Sequence, residues 1–144
     1  MSTQEKVKME SSTTKGDPYT IAASLGLDII YERLEGPRRG IYRGSYIAVR
    51  PGLTQREERS VIAHELGHHY YGHTHVHRSF APKLEAACDL YAAEMLISEQ
   101  ELLRLAHEYP DDPARIAYEL NVSSWVLDAW VRAHPLPADM DVAA

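Results

Sequence analysis

The stretch Val61-Ile-Ala-His64-Glu65-Leu-Gly-His68-His69 constrains this chain more than any other. Just upstream, Thr54-Gln-Arg-Glu57 has the spacing of a capping box, in which the threonine hydroxyl and the glutamate carboxylate satisfy free backbone amides at a helix start. A helix from Gln55 to about Tyr70 then holds His64 and His68 well inside regular structure. Residues four apart on an α-helix differ by about 40° of rotation and one turn of rise, so both imidazoles can reach one zinc ion, with Glu65 beside them as a base. The same spacing also arises by chance, on a helix with two exposed histidines and a surface glutamate. A third ligand downstream separates the two cases. Ile62 and Leu66 lie on a neighbouring face and should anchor the helix to a core. Gly67 costs roughly 1 kcal/mol relative to Ala in mid-helix, which points to close approach of another backbone.

Around this helix the chain predicts an α+β fold with a small, mainly antiparallel sheet packed on helices. Asp17-Pro18 is a strong helix start, Ile21, Ala22 and Leu25 give one apolar face, and Gly26 offers a stop. Leu27 to Leu34 reads as a strand ended by Glu35-Gly36-Pro37. Two more β-prone runs, Gly40 to Arg43 and Ser45 to Arg50, flank Gly44 as a hairpin would. An exposed edge strand beside the metal helix could pair with an extended peptide. Gly72 to Pro82 breaks the pattern as a loop. Helices should follow at about Lys83 to Ile97, from Ser98 through Ala106, from Asp112-Pro113 to Leu120, and from Ser123 or Ser124 through Trp130. The polar run 1–16 reads as a mobile leader and 135–144 as a frayed tail, leaving a core at 17–97 and a C-terminal helical part at 98–134.

A catalytic zinc site takes three protein ligands and leaves one position open. Glu85 is the preferred third ligand. It opens the next helix, and Asp89 follows four residues later on the same face, where it could accept the second ring N–H of a ligand histidine. Alone, Glu85 would be an ordinary acid at a helix start and Asp89 a solvated surface residue. His73, His75 and His77 in the loop are the rival ligands. The extended pattern H-E-x-x-H-x-x-G-x-x-H would need Gly at 71 and His at 74, where this chain has Tyr71 and Thr74. Tyr70, Tyr71 and the loop histidines are candidate donors to an oxyanion.

Charge narrows the choice of partner. Residues 1–83 hold twelve Lys/Arg against nine Asp/Glu, whereas 84–144 hold three against twelve. The acidic half is a poor match for phosphate backbones, so direct nucleic-acid binding is not expected. Arg38, Arg39, Arg43, Arg50, Arg56 and Arg59 form a basic stretch that suits solvated surface, with a grip on an acidic partner left open. Cys88 is the only cysteine, no run reaches the roughly 18 apolar residues of a membrane span, and 1–15 lacks a signal-peptide centre. A cytoplasmic protein is expected. Oligomeric state is not legible.

Taken together, His64-Glu65-Leu-Gly-His68 and Glu85-Ala-Ala-Cys88-Asp89-Leu-Tyr91-Ala-Ala-Glu-Met-Leu-Ile97 resemble the two signatures of the ImmA/IrrE metallopeptidases. The likeness covers most of the chain. Cys88 stands where that family usually has Ala, and Ser98 where Pro often follows; neither is a ligand position. Residues 116–127 also resemble the family's C-terminal helical hairpin, similar to a helix-turn-helix, although its second helix carries Asp128 and only Arg132 as a base. The resemblance implies a zincin-like core at 17–97, one Zn2+ on His64, His68 and Glu85 with Asp89 behind, and Glu65 as catalytic base. It also implies a protein substrate, a helix-turn-helix repressor of a phage, mobile element or stress regulon. A different class of function, a zinc-stabilised module that holds a regulator without cutting it, fits the same residues.

Overall fold

The computed structural model describes residues 15–72 and 82–135. The chain runs α1 (Pro18–Ser24), β1 (Asp28–Tyr31), β2 (Gly40–Tyr42), β3 (Tyr46–Val49), α2 (Gln55–Tyr71), α3 (Pro82–Leu96), α4 (Glu99–Glu108), α5 (Pro113–Leu120) and α6 (Ser124–Ala133). The architecture is α+β, as expected. Most of the leader, the loop histidines His73, His75 and His77, and most of the tail lie outside the described residues. No helix among the described residues is long and apolar enough to cross a membrane.

The sheet differs from the expectation. Its order is β1-β3-β2, with β1 parallel to β3 and β2 antiparallel to it, so it is mixed and not mainly antiparallel. The reason lies in β3, where Ile47, Ala48 and Val49 are all fully buried. A strand with no exposed face belongs at the centre of a sheet. It inserts between β1 and β2, and residues 32–39 carry the chain across the resulting gap of about 10 Å. The two edges are therefore β1, exposed at Ile30 and Tyr31, and β2, which lies against α2.

Local chemistry places α2. Thr54 and Glu57 form the complete capping box, and Gly72, at φ 72°, closes the helix in a left-handed conformation that glycine adopts without strain. Glu58 on the same helix accepts hydrogen bonds from Tyr19 of α1 (2.6 Å) and Tyr31 of β1 (2.8 Å), tying both elements to it. Its inner face, Ile62, Ala63 and Leu66, is wholly buried. Gly67 meets α3 so closely that a Cβ there would lie 3.1 Å from both Cα and Cβ of Cys88. That is the backbone approach its mid-helix position predicted, and it sets the spacing of the two helices that carry the site.

The C-terminal helices close the core with Leu102, Leu105, Ile116, Val126 and Leu127. Their caps follow the sequence: Ser98 accepts from the Glu101 amide, Asp112 from that of Arg115, and Asn121 ends α5 at φ 59°. The turn between α5 and α6 is bound to α2. Arg59 donates to the Asn121 carbonyl (2.9 Å), Arg56 to that of Val122 (3.4 Å), and the Ser60 hydroxyl accepts from the Ser123 amide (2.9 Å). At the far end, Lys15 donates to the Glu94 and Ile97 carbonyls and Gly16 to that of Met95, so these two leader residues are fastened to the end of α3.

Candidate metal centre

Two helices supply the polar centre of the molecule. From α2 come His64 and His68, one turn apart, with ring centroids separated by 5.0 Å. From α3 comes Glu85, whose two oxygens divide between them: Oε1 is 3.0 Å from His64 Nε2 and Oε2 is 3.2 Å from His68 Nε2. One ligand atom from each of the three residues falls within 4.8 Å of the others. Asp89, one turn further along α3, lies 2.8 Å from His64 Nδ1. That contact fixes the His64 ring so that Nε2 faces the cluster.

Two imidazole nitrogens and a carboxylate oxygen are the donor set of catalytic zinc sites that keep one position open. The environment fits as well. His68 is fully buried and Glu65 is 4% exposed, while His64, Glu65, Glu85 and Asp89 form one wall of an open cleft of about 290 Å³. A divalent ion held there would be anchored on rigid helix and reachable from solvent. The residues present fit a metal ion.

The charges of the cluster balance one another. Burial by itself would lower the pKa of His64, but the hydrogen bonds to Asp89 and Glu85 outweigh it and raise the value to about 9. Burial would likewise raise Glu85; its hydrogen bonds to His64 and His68 prevail and hold the carboxyl well below the usual carboxylate range.

The structure brings together all five residues singled out from the sequence: His64, Glu65, His68, Glu85 and Asp89. Tyr70 and Tyr71 instead set their rings against Tyr91, the first tilted and the second edge-on, and are not among the residues lining the cleft. His69 shares a 2.8 Å hydrogen bond with Tyr42 of β2. Sequence reasoning missed the opposite walls of the cleft, formed by Arg38, Arg39 and Gly40 and by Trp125. The Trp125 ring stands edge-on to His64 at 5.8 Å. One sign of this was available: Trp125 falls off the stripe Val126, Leu127 and Trp130 that α6 buries.

Comparison with known proteins agrees with this arrangement. Among curated proteins none matches the chain. The pattern of one family, the IrrE N-terminal-like domain, Peptidase_M78, matches residues 22–130, a span that runs from α1 to the last turns of α6 and includes every residue of the cluster. The match extends over well more than half of the chain, which therefore belongs to this family of metallopeptidases.

Proposed function

We propose that the protein is a zinc-dependent endopeptidase acting in the cytoplasm on a protein substrate, a helix-turn-helix repressor of a phage, mobile element or stress regulon. The observation that carries this reading is the convergence of His64, His68 and Glu85 on one point, with Asp89 behind His64 and Glu65 on the same cleft. The choice of substrate rests on the family resemblance.

His64, His68 and Glu85 would hold the ion, which when bound supplies Lewis acidity to activate water and polarise a carbonyl. Asp89 accepts the Nδ1 proton of His64 and so keeps Nε2 available as a ligand. The Glu65 carboxylate takes the proton of the attacking water and returns it to the departing amine nitrogen. Gly40 lets β2 lie close to Glu65: a Cβ at that position would be 3.5 Å from Glu65 Cγ. The β2 edge can therefore receive an extended peptide by strand addition beside the base. Trp125 comes from the helix that a DNA-binding hairpin would use for reading bases, in keeping with a role in the cleft.

The test is Glu65→Gln. The variant should keep its metal and its melting temperature, yet lose cleavage of a repressor encoded beside the protease gene by at least about 100-fold. Full cleavage by this variant would contradict the assignment.

A further inference from the structure

Four of the six arginines in the basic stretch are engaged in the fold. Arg43 pairs with Glu32 (2.7 Å), and Arg56 and Arg59 hold the α5–α6 turn. Arg50 donates to the carbonyls of Leu34, Gly36 and Arg38, at 3.2, 2.5 and 2.6 Å, while its amide donates to that of Arg39 (2.8 Å). A single guanidinium thus holds the loop before β2 in place. Arg38 and Arg39 remain, both exposed on that loop, and neither forms an ion pair among the described residues.

Arg39 has a particular position. It lines the metal cleft, and it also lines a second cavity of about 610 Å³ that opens between the start of α2 and the α5–α6 pair. Trp125 is likewise shared by both. The two spaces are therefore neighbours, with Arg39 and Trp125 on the boundary that they share. Beyond them lie Arg56 and the exposed ring of Tyr118, 5.7 Å apart. The carboxylate in this second space, Glu57, accepts from the Thr54 amide and hydroxyl on one oxygen, at 3.0 and 3.1 Å, and feels the charges of Arg39 and Arg56 without pairing with either. The second space thus carries two arginines against one carboxylate, with the aromatic rings of Tyr118 and Trp125, whereas the cluster end carries Glu65, Glu85 and Asp89.

We propose that these two neighbouring spaces together form the substrate channel and that Arg39 is a specificity-determining residue, selecting an aspartate or glutamate within about three residues of the scissile bond, with Trp125 as the apolar wall. The inference rests on the peptidase reading above. A cation on a rigid loop, in no ion pair with a carboxylate among the described residues, favours an incoming acidic side chain and opposes a basic one. Because Arg50 fixes the loop by its backbone, replacing the Arg39 side chain leaves the wall standing.

The test is cleavage of a peptide library of randomised sequence by the zinc-loaded full chain, with cut sites identified by mass spectrometry. Wild type should enrich Asp and Glu several-fold on one side of the cut. Arg39→Lys should keep this preference. Arg39→Glu should lose or invert it, raising KM for an acidic peptide about tenfold with kcat little changed and the melting temperature unaltered. Cleavage that Glu65→Gln abolishes but that shows no acidic preference, or a preference untouched by Arg39→Glu, overturns the role of Arg39 and leaves the peptidase reading standing. Absence of any Glu65-dependent cleavage of either the library or a repressor overturns both.

Discussion

His64 Nδ1 lies 2.8 Å from Asp89 Oδ1, while the Nε2 of the same ring is 3.0 Å from Glu85. Two acids one turn apart on α3 thus grip opposite edges of one imidazole on α2. A carboxylate behind a ligand histidine orients the ring and raises its basicity. Asp89→Asn should therefore fold normally yet bind zinc about 10–100-fold more weakly, as read by competition with a chromophoric chelator. Unchanged affinity would mean that Asp89 only joins the helices.

The same grip sets a pH dependence. In the metal-free protein the pKa of His64 rises from 6.5 to about 9. A group whose pKa is raised on folding contributes stability that is complete below the unfolded value and disappears as pH climbs through the folded one. Chelator-treated protein should therefore lose stability between pH 7 and 10, and Asp89→Asn should lose less. Zinc must displace that proton, so below about pH 9 its binding should release protons and tighten as pH rises. Thermal melts in matched buffers, with titration calorimetry in buffers of different ionisation enthalpy, measure both effects.

The spacing of β2 and α2 depends on a missing side chain. A Cβ on Gly40 would fall 2.4 Å from Val61 Cγ1, and the β-branched valine has little rotamer freedom on a helix. Gly40→Ala should cost roughly 1–3 kcal/mol in chemical denaturation and disturb the cleft wall beside Glu65. Val61→Ala in the same chain should recover part of that loss, a coupling that a double-mutant cycle would detect. Strict additivity would place the strain elsewhere.

What could be read from the sequence was mostly what neighbouring residues decide. Asp17-Pro18, Thr54 with Glu57, and Asp112-Pro113 start helices where expected, because a cap satisfies amides within its own turn. The two halves of the candidate metal cluster were legible for the same reason, since His64 with His68 and Glu85 with Asp89 are each spaced by one turn, while their meeting depends on α2 packing against α3. Sheet order was not, since it depends on β3 burying both faces between strands from different parts of the chain. The signal was present in Ile47-Ala48-Val49, an apolar run without alternation. Trp125 and Arg39 meet only after α6 and the loop before β2 fold against α2, and no local spacing reports a wall assembled from such distant segments.

The central claim is that Glu85 joins His64 and His68 in holding one metal ion, and elemental analysis of purified protein tests it most directly. Wild type should carry close to one zinc per chain, and His75→Ala the same. Glu85→Ala should carry little, with its melting temperature no longer responsive to added zinc. Full zinc in Glu85→Ala together with its loss in His75→Ala would contradict the account and move the third ligand into the loop.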